Sequence, residues 1–121
     1  MILFLMTIAI YGSAQNFVPN GGFENYSSCP TATSLFGGYC TGWASYTNGT
    51  PDYYNSCAAS VTGASTPVNI NGTQAPANGN AYCGIVDYAG NIDFKEYIER
   101  GISSLQAGAT YTVSMYVSLA D

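Results

Sequence analysis

The chain has 121 residues, a net charge of −5, two basic residues against seven acidic ones, and no histidine. So acidic a surface is repelled by phosphate backbones and anionic lipid headgroups, which argues against nucleic acid and membrane surfaces as partners. Without histidine, Ser-His-Asp and Cys-His nucleophile systems cannot form, and we predict that the protein is not an enzyme.

The N-terminal segment resembles an export signal. Residues 2–10 are almost wholly apolar, and Gly12, Ser13 and Ala14 supply the small residues that precede a signal-peptidase cut. We therefore predict a signal peptide over residues 1–15, cleaved after Ala14 or Gln15, followed by one domain over residues 16–121. The apolar run is about half the roughly 20 residues of a membrane-spanning helix, so no membrane span is expected in the mature chain. A buried N-terminal strand is the alternative.

Four cysteines in an exported chain indicate two disulfides, for which three pairings are possible. We favour Cys29 with Cys57 and Cys40 with Cys83. A zinc site is the competing interpretation, but no cysteine pair has the C-x2-C spacing of common zinc sites.

The patterning predicts strands throughout. In chain order, the predicted elements are a long loop over 58–78 with one short strand at 68–70, a strand over 81–88, a strand over 94–102, a turn at 106–108 and a strand over 110–119. A helix over 93–102 is the alternative for the third of these strands. The last strand has the clearest alternation, with Tyr111, Val113, Met115, Val117 and Leu119 on one face.

Polar but uncharged residues dominate the middle of the chain. Gly, Asn, Ser, Thr and Tyr are abundant while only 7% of residues are charged, a surface that suits neutral, hydroxyl-rich ligands. The same residues also favour strands and turns, which is the simpler explanation. Sugars stack on aromatic rings and pair their hydroxyls with amides and carboxylates, so we predict a ligand platform between Cys40 and Cys57. Its candidate residues are Tyr46, Asp52, Tyr53, Tyr54 and Asn55. We expect Trp43, in the same stretch, to be a core residue.

Several motifs, in order, resemble a known family. They are NFVPNGGFENYSSCP at 16–30, TGW at 41–43, GTPDYYNSC at 49–57, GNAY at 79–82 and YTVSMYVS at 111–118. This set resembles the N-terminal domain of exported Bacteroidota proteins, which commonly precedes OmpA-like, gliding-motility-associated or secretion-sorting modules. The resemblance implies a secreted or surface location and further modules of the same polypeptide as partners.

A more distant resemblance is to galactose-binding-like jelly rolls, including carbohydrate-binding modules. It implies an all-β, jelly-roll-like sandwich and a non-catalytic module that binds polysaccharide or glycan; a structural or protein-interaction domain is the alternative. The family also implies a structural calcium, with Glu24 as one ligand and Asp121 as a candidate second. A carboxylate that accepts backbone hydrogen bonds at a strand start is the alternative for Glu24. Jelly rolls need about eight strands, so we expect the sandwich to be incomplete at the C-terminus and the chain to be a fragment.

Overall fold

The computed structural model describes residues 15–87 and 95–120. Most of the predicted signal peptide therefore lies outside the described residues. The described elements are short, and only two strands reach four residues. In chain order they are the helical turn α1 (Phe36–Tyr39), β1 (Trp43–Ala44), β2 (Asp52–Asn55), a 3-10 turn (Ser60–Thr62), β3 (Val68–Asn69), β4 (Gly72–Thr73), β5 (Ala81–Gly84) and β6 (Glu99–Arg100).

The strands pair into three two-stranded antiparallel sheets, β1 with β6, β2 with β5, and β3 with β4. The longest ladder is β2–β5, in which Tyr53 lies opposite Cys83 and Tyr54 lies opposite Tyr82. The protein is thus β-rich, as predicted. The two large sheets of a jelly-roll sandwich are not seen in the described residues.

Strand β2 is covered on both faces. Successive residues of a strand point to opposite faces, and here Tyr53 and Tyr54 enter two different apolar clusters. Tyr53 packs with Phe36, Cys40 and Ala81, whereas the Tyr54 cluster contains two small residues, Ala58 and Ala64. The hydrophobic core therefore lies on the two sides of β2.

Trp43 packs against the first cluster, in agreement with its predicted core position. Its ring centroid lies 4.9 Å from that of Phe23 and 6.2 Å from that of Phe36. The indole N–H donates to the carbonyl oxygen of Asn20 at 2.8 Å, so the polar atom of this half-buried ring is satisfied.

The predicted disulfide between Cys29 and Cys57 is present, with Cα atoms 5.6 Å apart. The second predicted disulfide is not formed, because Cys40 and Cys83 are free thiols. Both contact the first core cluster, but each sulfur faces another polar group. Asn20 Nδ2 donates to Cys40 Sγ at 3.5 Å, and Cys83 Sγ donates to the carbonyl oxygen of Gly84 at 3.6 Å.

The middle of the chain agrees better with prediction than its C-terminal part. The short strand predicted at 68–70 is β3. Of the strand predicted over 81–88, only Ala81–Gly84 forms a strand, as β5; residues 85–87 do not, and residue 88 lies outside the described part. Of the strand predicted over 94–102, the described residues pair only at β6, and none of them is helical.

Residues 110–120, hereafter the C-terminal arm, correct the strand prediction over 110–119. No helix or strand is assigned to the arm, although the turn predicted just before it is present, with Ala109 N donating to Gln106 O. A strand needs a neighbour for its backbone groups, and none of the described strands pairs with the arm. Its large side chains are exposed as a result.

Candidate ligand-binding cleft

Three of the five predicted ligand residues are buried, and this corrects the predicted platform. Tyr53, Tyr54 and Asn55 are 0%, 1% and 2% exposed, and of the three only Tyr54 lies among the residues that line the cleft described below. The physical reason is the position of β2, which has packed residues on both faces. Tyr46 remains 74% exposed, and Asp52 is half-buried.

The buried polar atoms of β2 have a structural role. The Tyr53 hydroxyl donates to Phe23 O at 2.8 Å and accepts from Asn55 Nδ2 at 2.8 Å. Asn55 Oδ1 in turn accepts from Cys57 N at 2.9 Å. Burial raises the pKa of Tyr53 to about 12, against the opposing hydrogen bond from Asn55. These bonds hold β2 to the disulfide and to the turn over residues 20–23, in which Phe23 N donates to Asn20 O; we call it the N-terminal turn.

A large cleft lies beside the β2–β5 sheet. Its volume is about 1280 Å³, and its walls come from the N-terminal segment, the β3–β4 hairpin, strand β5 and the C-terminal arm. Trp43 and Asp52 contribute to the lining, whereas Tyr46 is not among the described lining residues. The cleft therefore retains only part of the predicted platform.

One wall of the cleft carries a hydrogen-bonded group of side chains that we call the amide–phenol cluster. Its members are Asp52, Tyr54, Asn69, Asn71 and Tyr82, all of which line the cleft.

The inner part of the amide–phenol cluster is organised around the Tyr54 hydroxyl. This hydroxyl donates to Asp52 Oδ2 at 2.7 Å and accepts from Asn71 Nδ2 at 2.6 Å. The other carboxylate oxygen of Asp52 accepts from Ser34 N at 2.6 Å. Burial, with the hydrogen bond to Asp52 next in importance, raises the pKa of Tyr54 well above its usual value. The phenol therefore stays protonated, and the Asp52 carboxylate is fully engaged within the protein.

The outer part of the cluster faces the cleft. Asn69 Nδ2 donates to the Tyr82 hydroxyl, and Asn69 Oδ1 accepts from Asn71 N at 2.9 Å. The Tyr82 ring lies 5.1 Å from the Tyr54 ring, centroid to centroid, and is only half-buried. Among the described residues, none donates to Asn71 Oδ1 and none accepts from the Tyr82 hydroxyl, and Asn71 itself is exposed.

The sequence prediction missed Asn69, Asn71 and Tyr82. The available signal was the Asn71-Gly72 dipeptide, which favours a tight hairpin between two short strands. A hairpin does form here, but Asn69 lies opposite Gly72, so its loop residues are Ile70 and Asn71 rather than Asn71 and Gly72. Asn69 and Asn71 both line the cleft. Tyr82 could have been found from the β2–β5 pairing, which sets it opposite Tyr54.

Glu24, the predicted calcium ligand, accepts hydrogen bonds from the backbone. One carboxylate oxygen accepts from Asn80 N at 2.8 Å and from Ala81 N at 3.0 Å, and the other accepts from Asn80 Nδ2 at 3.4 Å. We call this set of bonds the Glu24 clamp. It ties the N-terminal turn to the start of β5, which is the alternative that the sequence left open.

The described groups around Glu24 differ from the usual ligands of calcium. Calcium takes six to eight oxygen ligands, whereas Glu24 is surrounded by N–H donors. Within residues 15–87 and 95–120, no group of three or more His, Cys, Asp or Glu side chains could hold a metal ion. Asp121, the other predicted ligand, lies outside the described residues, so the calcium prediction itself stays untested.

Glu96 makes a second carboxylate clamp. Its two oxygens accept from Thr50 N at 2.9 Å and Val86 N at 2.8 Å, while its own backbone N–H donates to Val86 O at 2.9 Å. This carboxylate therefore joins three segments of the chain.

Comparison with known proteins adds no relative: no family model, no curated protein and no solved structure is significantly similar to the chain. In the described part of the chain, no helix has the length and apolarity needed to cross a membrane.

Proposed function

We propose that the protein is a non-catalytic extracellular module that binds a neutral carbohydrate in the cleft beside β2–β5. The observation that supports this most directly is the amide–phenol cluster. It places the Asn71 amide oxygen and the Tyr82 hydroxyl on one wall, beside a half-buried aromatic ring, with no described residue donating to the first or accepting from the second. Amides and phenols exchange hydrogen bonds with sugar hydroxyls, and aromatic rings cover their C–H faces.

The electrostatics of the cleft favour a neutral ligand over a charged one. Asp52 is the only carboxylate among the described lining residues, and both of its oxygens already accept hydrogen bonds. No Lys or Arg is among the described lining residues, so an anionic ligand would lack a counter-charge there. A neutral, hydroxyl-rich ligand avoids both problems.

The dimensions of the cleft favour a chain of sugars. Sites for single small molecules usually occupy about 300–1,000 Å³. The cleft here is larger, at about 1280 Å³. Polysaccharide or an extended glycan is therefore the ligand class that we propose.

The proposed setting is outside the cell. The apolar leader, the Cys29–Cys57 disulfide and the resemblance to exported Bacteroidota domains support secretion or surface display. We further propose that the β-rich unit is part of a jelly-roll-like sandwich in a larger modular protein, whose other modules are its partners in the same polypeptide.

A glycan array followed by titration calorimetry tests the proposed ligand. Tyr82→Phe keeps the ring and removes the hydroxyl, and Asn71→Ala removes the amide oxygen. We expect each to weaken binding about tenfold, because one hydrogen bond to the ligand is lost. Tyr46→Ala is the matched control, since this exposed tyrosine lies off the described cleft wall. Unfolding midpoints for each variant separate lost binding from lost folding.

A second candidate function is a structural or protein-interaction module without a glycan ligand. The observation that favours it is the exposure of the C-terminal arm, where Val113, Val117 and Leu119 are 84%, 84% and 92% exposed. Apolar surface of this kind usually marks an interface. Failure of the protein to bind any glycan, together with association through the arm, would favour this candidate over the first.

A further inference from the structure

The C-terminal arm is the largest unexplained feature of the described chain. It combines exposed apolar side chains with backbone groups that have no hydrogen-bonded partner strand among the described residues. In addition to the three aliphatic residues named above, Met115 is 75% and Tyr116 is 88% exposed. Such a segment is a template for pairing with another strand.

The sequence of the arm complements itself. If two copies pair antiparallel about a two-fold axis at Met115, Met115 lies opposite its own counterpart and Val113 lies opposite Val117 of the other copy. Tyr111 then lies opposite Leu119. Residues with odd numbers therefore meet only residues with odd numbers, and the apolar face of each arm continues into that of the other.

Charge does not oppose this pairing. Each copy has a net charge of −5, but the arm contains no charged residue. Pairing through the arms brings together segments that carry no charge. The two-stranded ribbon that the paired arms would form therefore has no repulsion between like charges on opposite strands.

The available area is adequate for a dimer. The four large exposed side chains on this face, Val113, Met115, Val117 and Leu119, offer on the order of 500 Å² of apolar surface per copy. The backbone and the polar face of the ribbon add to this, which approaches the roughly 800 Å² per partner of a stable interface. The paired arms can also pack on apolar residues of the cleft, namely Ile98, Ile102 and Leu105.

We propose that the C-terminal arms of two copies pair as antiparallel strands about a two-fold axis at Met115, forming a homodimer. This inference rests on the second candidate function, the interaction module, and names its partner as a second copy of the chain. It assumes no glycan ligand, and because the arm also lines the cleft, dimerisation is measured without glycan.

Sedimentation equilibrium and cysteine cross-linking test the pairing on the full chain with its disulfide intact. We expect a dimer at micromolar concentration. Met115→Lys sets two like charges opposite each other and should raise the dissociation constant about a hundredfold or more. Ser114→Lys is the matched control on the other face and should change it by less than about tenfold.

The cross-links test the register. Under mild oxidation, Met115→Cys should give a covalent dimer, whereas Val113→Cys should not, because its opposite residue is Val117. The unmodified chain should not cross-link either, since Cys40 is 1% exposed and Cys83 is partly buried.

Each contrary result has a distinct meaning. A monomeric chain overturns the homodimer, and open-ended polymers overturn the two-fold axis. A dimer cross-linked by Val113→Cys but not by Met115→Cys overturns the register while leaving the interaction-module function in place. If the parent chain dimerises and Met115→Lys associates equally well, the arm is not the interface, and the interaction-module function loses its support whatever the result of glycan binding.

Discussion

The Glu24 clamp gives a direct prediction about stability. Glu24 joins the N-terminal turn to the first residue of β5, and Ala81 is only 4% exposed. Replacing Glu24 with alanine leaves the partly buried N–H of Ala81 without an acceptor, so the cost includes both a lost bond and an unsatisfied donor.

The magnitude follows from the number and type of bonds. Two backbone N–H groups donate to the carboxylate at 2.8 and 3.0 Å, and a hydrogen bond to a charged group contributes about 1.5–3 kcal/mol. The Asn80 N–H is exposed and regains water, so only the Ala81 bond counts in full. We expect Glu24→Ala to lower the free energy of unfolding by about 2–4 kcal/mol, and Glu24→Gln, which keeps one acceptor oxygen, by about half of that.

Urea denaturation followed by the fluorescence of Trp43, the only tryptophan, measures both variants. Glu99→Ala is the matched control, because it removes an equal charge from an exposed position. The reasoning is refuted if Glu24→Ala stays within about 0.5 kcal/mol of the parent, the range of ordinary surface substitutions. It is also refuted if calcium restores the stability of the parent after chelation, since the oxygens would then bind a cation.

Three further predictions concern the core, a glycine and the thiols. Tyr53→Ala should cost about 3–5 kcal/mol in a urea titration, so any loss of glycan binding in this variant would report unfolding rather than a lost contact. Gly79→Ala should lower the free energy of unfolding by about 2–4 kcal/mol, because φ is +72° and a Cβ there would lie 2.4 Å from Glu24 Oε1. The control Gly37→Ala has open space around the added Cβ and should lower it by less than about 1 kcal/mol in the same assay. Burial raises the pKa of the Cys40 thiol from 9.0 to about 11 and that of Cys83 further, so mass spectrometry should find both unmodified by iodoacetamide at neutral pH until the protein unfolds. Because the folded pKa of Cys40 exceeds the unfolded one, its contribution to stability is complete below pH 9 and is lost as the pH rises through 11, which denaturation at several alkaline pH values would show; equal stability at both ends of that range would contradict it.

Local features of the sequence predicted local features of the structure. The Cys29–Cys57 disulfide and the short strand β3 both formed where expected. Tyr53 and Tyr54 point to opposite sides of their strand, as adjacent residues of a strand must. These inferences depended on chemistry within a few residues or on a single pairing.

Features that depend on distant neighbours were predicted less well. The sequence could not show that both faces of β2 are covered, because the residues that bury Tyr53 and Tyr54 come from several separate segments. Likewise, the alternation in the C-terminal arm shows that the arm is suited to a sheet, but not that a neighbouring strand exists. The prediction of a Cys40–Cys83 disulfide failed for a similar reason. Both cysteines lie at one cluster, but their spacing in the sequence does not show in which direction each sulfur points.

The central claim is that the amide–phenol cluster binds neutral glycan. The most direct test is calorimetric titration of the best glycan from an array against the parent protein, Tyr82→Phe and Tyr46→Ala. We predict measurable binding by the parent, binding about tenfold weaker in Tyr82→Phe, and unchanged binding in Tyr46→Ala. The claim is contradicted if no glycan binds the folded parent, or if Tyr46→Ala loses binding while Tyr82→Phe retains it.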